Sequence, residues 1–135
     1  MIKLDPTRKF FISEDLIGYA DKLIEEGTFR RRVDLLLVGF SYAVKNQIQP
    51  ADEYQRHELI YVNNLKDALL PIEATANWYA RKLGYQLEND SQLLEFICEV
   101  GIAGTRSLQD LWRERRKSQI QWDVLQFVTE SDNLK

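Results

Sequence analysis

One cysteine and one histidine in 135 residues close several routes at once. Cys98 alone forms no internal disulfide, and such usage fits a reducing compartment. Together Cys98 and His57 fall short of a closed zinc shell, so no metal is expected. Long apolar runs are missing too. The longest, residues 35–40, is far below the roughly twenty residues that cross a bilayer. The opening MIKLDPTRKFFISEDL holds no apolar segment of signal-peptide length. A cytoplasmic protein without a membrane span is therefore expected. No glycine-rich phosphate cradle is present, because GIAGT at 101–105 lacks the lysine and spacing of a P-loop. The net charge is only −3, so any basic function must sit in a local patch.

The chain is 44% hydrophobic, with six Phe, six Tyr and three Trp, which argues against disorder. Its length suits one domain, with enough apolar material for a core that needs neither disulfides nor metal. The expected fold class is mainly α: a compact helical domain over residues 1–135 with one or two short strands. A first part covers residues 1–48 and a helical remainder covers 58–129.

Local signals fill this in. KFFIS at 9–13 reads as a strand with Phe10 and Ile12 on one face. Ser13 is placed to cap a helix whose stripe is Leu16, Ile17, Ala20, Leu23 and Ile24, ended by Gly27. A second helix, from Thr28 or Arg30 to about Gln47, carries Val33, Leu36, Leu37, Phe40 and Val44. Leu35, Leu37, Val38 and Tyr42 make it apolar nearly all round, which predicts a central position or a homo-oligomer interface. Residues 49–58 read as a loop and LIYV at 59–62 as a strand or a helix start. Helical spacing returns over 65–83, with Pro71 as a kink or a fresh first turn. Ser91 suits the cap of a helix carrying Leu93, Leu94, Ile97, Cys98 and Val100. Gly101 and Gly104 then act as helix punctuation or close helix packing. A further helix is expected near 107–117, residues 120–128 fit strand or helix, and 129–135 read as a polar tail.

Little catalytic chemistry is visible. Cys98 lies in an apolar stripe, where a thiol packs as a small inert hydrophobe. His57 falls in a polar stretch and reads as exposed. Asp52, Glu53, Glu95 and Glu99 are the best acids for a metal-dependent nuclease, against the plain alternative of a solvated acidic face. No enzyme and no cofactor are expected.

Positive charge is concentrated in two strips. One is Arg30, Arg31 and Arg32. The other is Arg113, Arg115, Arg116 and Lys117, preceded by Arg106 and interleaved with Trp112. Residues 106–117 hold five cations and two acids within a net-negative chain. Local arginines gain affinity for nucleic acid by releasing counterions from phosphates. The competing reading is structural: residues 100° apart on a helix do not share a face, and arginine stems also pack along core edges.

KFFISEDLIGYADKLIEEGTFRRRVDLLLVGFSYAVKN resembles a ribbon–helix–helix unit, with segments at 10–12, 13–26, 27–32 and 33–46. That resemblance implies a strand-paired dimer that reads DNA with Lys9, Phe11 and Ser13 and clamps phosphate with Thr28, Arg30 and Arg31. Over more of the chain, Gly27, Phe29, Asp34, Leu36, Phe40 and Ala43, followed by FICEVGIAGTRSL, are similar to small accessory proteins encoded with bacterial DNA phosphorothioation and anti-phage systems. This implies a non-catalytic accessory subunit working beside larger defence-system subunits. The expected ligand is duplex DNA with weak sequence preference, held by both arginine strips. The alternative is an adaptor that docks a nuclease or ATPase partner without touching nucleic acid.

Overall fold

A computed structural model describes residues 1–132, with side chains through residue 126. The protein is mainly α, with one two-stranded antiparallel sheet. In chain order it comprises β1 (Lys9–Ser13), α1 (Ile17–Glu25), α2 (Arg32–Lys45), β2 (Arg56–Tyr61), α3 (Leu69–Leu83), α4 (Asp90–Leu111) and α5 (Lys117–Asp132). Short 3-10 turns, Glu14–Leu16 and Val62–Ala68, lead into α1 and α3. No helix among the described residues is long and apolar enough to cross a membrane.

The crossing of α2 and α4 organises the core. Gly39 on α2 and Gly101 and Gly104 on α4 let the two backbones meet. A Cβ on Gly101 would stand 2.9 Å from the Leu36 carbonyl oxygen, and one on Gly39 would stand 2.6 Å from the Gly101 carbonyl oxygen. The two α4 glycines therefore sit inside a 22-residue helix and do not punctuate it. Thr105 is buried at the same place and satisfies its hydroxyl on the Gly101 carbonyl at 2.7 Å.

Two apolar clusters flank this crossing. The larger joins Phe10, Ile12 and Leu16 to Leu36, Phe40, Tyr79, Leu93, Ile97 and Ile102. The smaller gathers Ala20, Leu23, Phe29, Leu35, Val38, Leu108, Trp112 and Ile120, and α5 lies over it. Of the two positions that its apolar circumference allows, α2 takes the central one. Leu35 and Val38 leave no bare stripe for a second copy, because α5 of the same chain covers them. Leu37 and Tyr42 are likewise partly buried against the two clusters.

Helix boundaries follow local chemistry. Gly27 and Gly84 take left-handed conformations, with φ of 80° and 88°, after α1 and α3. Asn89, not Ser91, caps α4, its side chain accepting the Gln92 N–H at 2.9 Å. Pro71 is the third residue of α3, where its missing N–H costs no hydrogen bond. The helix expected near 107–117 does not exist as a unit. Instead α4 runs on to Leu111, residues 112–116 form a turn with Glu114 at φ 66°, and α5 begins at Lys117. Residues 120–128 are helical, and the expected tail at 129–132 continues α5; residues 133–135 lie outside the described residues.

The N-terminal segment is tied to α3. The buried Glu73 carboxylate accepts the Leu4 N–H at 2.6 Å, and Asn77 donates to the Ile2 carbonyl at 3.0 Å.

Candidate binding surface at the arginine-rich end

The turn after α1 and the turn before α5 meet at one end of the molecule. Phe29 and Trp112 make the contact, their ring centroids 6.2 Å apart over the smaller cluster. The Lys117 ammonium lies against Gly27, 3.0 Å from the point a Cβ would take there. Both arginine strips therefore share this end.

Four of the seven predicted cations are already engaged. Arg31 donates to Asp34 through Nε at 3.2 Å and Nη2 at 2.9 Å, while its backbone N–H also bonds the same carboxylate. Asp34 is the third residue of α2, so this pair seals the helix start. Arg32 forks onto Asp21 of α1 at 2.8 and 2.9 Å. Its third nitrogen lies 3.3 Å from His57 Nε2. Arginine only donates, so Nε2 accepts and Nδ1 carries the proton that it gives Glu14 at 2.8 Å. His57 thus stands on β2 in a polar chain and not in a loop. Both arginines are held above the usual guanidinium value by the hydrogen bonds of their aspartates. Arg113 bonds Asp110 at 3.0 Å, and Arg115 reaches Asp123 at 3.1 Å. Asp123 also accepts the Trp112 indole N–H at 3.0 Å.

Arg30, Arg116 and Lys117 are exposed and have no ion pair among the described residues. Farther along α5, Trp122 and Leu125 are each 59% exposed, one helical turn apart. A groove of about 480 Å³ runs along the same end between α1 and the 112–116 turn, lined by Tyr19, Lys22, Glu26, Trp112, Arg113 and Arg115. Burial raises the Tyr19 phenol to about 12. Thr28, expected in a phosphate clamp, is half-buried, and its buried hydroxyl has no hydrogen-bond partner among the described residues.

The strand expected to read DNA is not available for it. Phe11 and Ser13 are buried, and β1 spends one edge on β2. Its other edge faces α4, where the Phe11 N–H meets Cys98 Sγ at 3.4 Å. Only Lys9 remains partly exposed, 3.5 Å from Glu58. Arg106 is also occupied, bonding Asp15 at 2.9 Å, the Glu53 carbonyl at 3.0 Å and the Ser13 hydroxyl at 3.1 Å.

The acids do not gather around a metal: no group of three or more His, Cys, Asp or Glu converges among the described residues. Glu95 bonds Arg56 at 2.5 Å, and Glu99 accepts the Tyr54 hydroxyl at 2.7 Å. Cys98 is fully buried, and burial pushes its thiol up to about 12, which makes it an inert packing group.

Sequence reasoning missed the aspartates that neutralise the arginines. Arg31–Asp34 and Asp110–Arg113 stand three apart and carry a readable signal. Arg32–Asp21 and Arg115–Asp123 depend on how the helices pack and carry none. Compared with family models, curated proteins and solved structures, the chain matches none of them.

Proposed function

We propose that this protein is a non-catalytic adaptor subunit that docks a protein partner through its arginine-rich end. What supports the reading is one arrangement: Arg30, Arg116 and Lys117 have no ion pair among the described residues, α5, which begins at Lys117, carries an exposed Trp122, and four neighbouring arginines are neutralised by aspartates. A phosphate clamp needs free cations, and each engaged arginine would have to give up a carboxylate before meeting a phosphate. Tryptophan and arginine are residue types that protein interfaces favour at their centres. The accessory role implied by the resemblance to bacterial defence proteins agrees with such an adaptor, whose partners would be larger subunits of that system.

Duplex DNA contact is the second reading, favoured by the adjacency of Lys117 and Gly27, which joins the two strips on one end. Titration of labelled duplex against salt separates the two. The adaptor reading expects no binding at 150 mM salt. Submicromolar binding with a log–log salt slope near about −2.7, the value for three phosphate contacts, would favour DNA and overturn the adaptor. In the native host, tagged protein should retain a stoichiometric partner that a Trp122→Ala, Arg116→Glu variant loses.

A further inference from the structure

We propose that the open edge of β2 pairs two copies of this chain, antiparallel, about a two-fold axis at His57.

The sheet has two strands, and its two outer edges differ. The outer edge of β1 is covered by α4. That of β2 pairs with no strand among the described residues. An uncovered strand edge is a template for another strand.

The register follows from the ladder. Phe11 stands opposite Glu58, yet the Phe11 N–H points away to Cys98, so this is a non-hydrogen-bonded pair. The Glu14 N–H reaches the Gln55 carbonyl at 2.9 Å, and Ile12 stands opposite His57. Gln55 and His57 therefore face β1. Arg56 and Glu58 turn their backbone N–H and C=O groups to the open edge.

A second β2 can bond to this edge only where outward-facing residues oppose one another. Centring on Arg56 sets arginine against arginine, and centring on Glu58 sets glutamate against glutamate. Like charges directly opposite disfavour a pair. Centring on His57 puts Arg56 against the partner's Glu58 and Glu58 against the partner's Arg56. Both pairs are then hydrogen-bonded and of opposite charge. Glu58 is well placed for this, its side chain 68% exposed and only loosely held by Lys9 at 3.5 Å. Arg56 is stacked over the Phe11 ring at 4.1 Å and bonds Glu95 through Nη2 at 2.5 Å, which holds its guanidinium in place and leaves the partner's Glu58 to share a cation already paired within its own chain. The pairing would join two two-stranded sheets into one of four strands, with the arginine-rich ends left for other partners. It does not depend on the adaptor reading.

Sedimentation equilibrium of the full chain over about 10–500 µM tests this, a range suited to a small interface at the weak end of specific association. A monomer–dimer equilibrium is expected. Glu58→Lys should weaken it about tenfold, because both symmetric pairs become repulsive. Arg56→Glu with Glu58→Arg, made together with Glu95→Gln so that no new acid pair arises where Arg56 met Glu95, should restore it. Glu58→Pro removes one outward N–H without touching the ladder to β1, and should leave a folded monomer with unchanged far-UV circular dichroism. A wild-type chain that stays monomeric at the highest concentration overturns the proposal. So does a dimer that ignores these β2 substitutions and is lost instead in Trp122→Ala.

Discussion

Gly104 on α4 rests directly on the carbonyl of Gly39 on α2, with no room between them for a side chain. A methyl group at position 104 would overlap that carbonyl oxygen and approach the Ala43 Cβ to 3.1 Å. The obstacle is backbone, so a rotamer change cannot relieve it. Gly104→Ala is expected to destabilise the protein by about 3 kcal/mol, the upper range for overpacking. Gly18, in α1, is the internal control, because a Cβ there meets nothing within 4 Å. Gly18→Ala should stabilise by about 0.5–1 kcal/mol through helix propensity. Urea denaturation of both variants checks the pair.

Arg106 ties α4 to the entrance of α1. Its hydrogen bond holds the Asp15 carboxyl below the ordinary value of 3.8, with Arg106 charge adding to the effect. A depressed carboxylate contributes stability that is full above its unfolded pKa and is lost as pH falls through the folded one. The loss therefore belongs below about pH 4. Arg106→Ala should cost about 1–3 kcal/mol at pH 7, because buried Ser13 and the Glu53 carbonyl also lose a charged donor. The same variant should show a shallower fall in thermal midpoint between pH 4 and pH 2.

Glu99 behaves in the opposite sense. Burial raises its carboxyl, and the Tyr54 hydroxyl offsets this only in part. A raised carboxylate takes up a proton more readily in the fold than in the unfolded chain. Stability is therefore lost as pH rises from the ordinary glutamate value through the folded one. Glu99→Gln keeps an acceptor for Tyr54 and removes the charge. Its thermal midpoint should exceed that of the wild type at pH 7, and the advantage should vanish near pH 4.

Cys98 should be silent toward thiol reagents in the native protein. Its thiol is fully buried and raised to about 12, so almost no thiolate exists at pH 8. One equivalent should react in denaturant and none before unfolding. Fast native labelling would mean that the seam between β1 and α4 opens.

The sequence carries the core of this fold in its periodicity. Strand β1, the α1 stripe, the Gly27 stop and the apolar α2 were all legible, because each is a local pattern of spacing or φ preference. Position 58 onward was harder. Helix α4 extends through Gly101 and Gly104, where propensity argues for a break. The gain from bringing α2 and α4 into backbone contact outweighs that cost, and such a gain is set by a partner some sixty residues away. The second strip was legible as charge but not as geometry. Helical spacing puts Arg113, Arg115 and Arg116 at a helix end, and they lie instead in the turn before α5. Neutralisation by Asp21 and Asp123 was invisible for the same reason: helix packing, not spacing, brings those carboxylates to the arginines.

The two apolar clusters imply that this protein opens in stages. Among the described residues, helix α5 is seated on the smaller cluster, through Ile120 and the partly buried Val124. Its departure would bare Leu35, Val38 and Trp112 while leaving β1, α3 and the larger cluster packed. Such a unit opens at a lower free energy than the whole. Native-state hydrogen exchange should then give the α5 amides one shared, low opening energy, while those at the α2–α4 crossing exchange only through global unfolding. The open form would expose a tryptophan-lined trough next to a freed helix, so two molecules could trade their last helices without disturbing the rest of either fold.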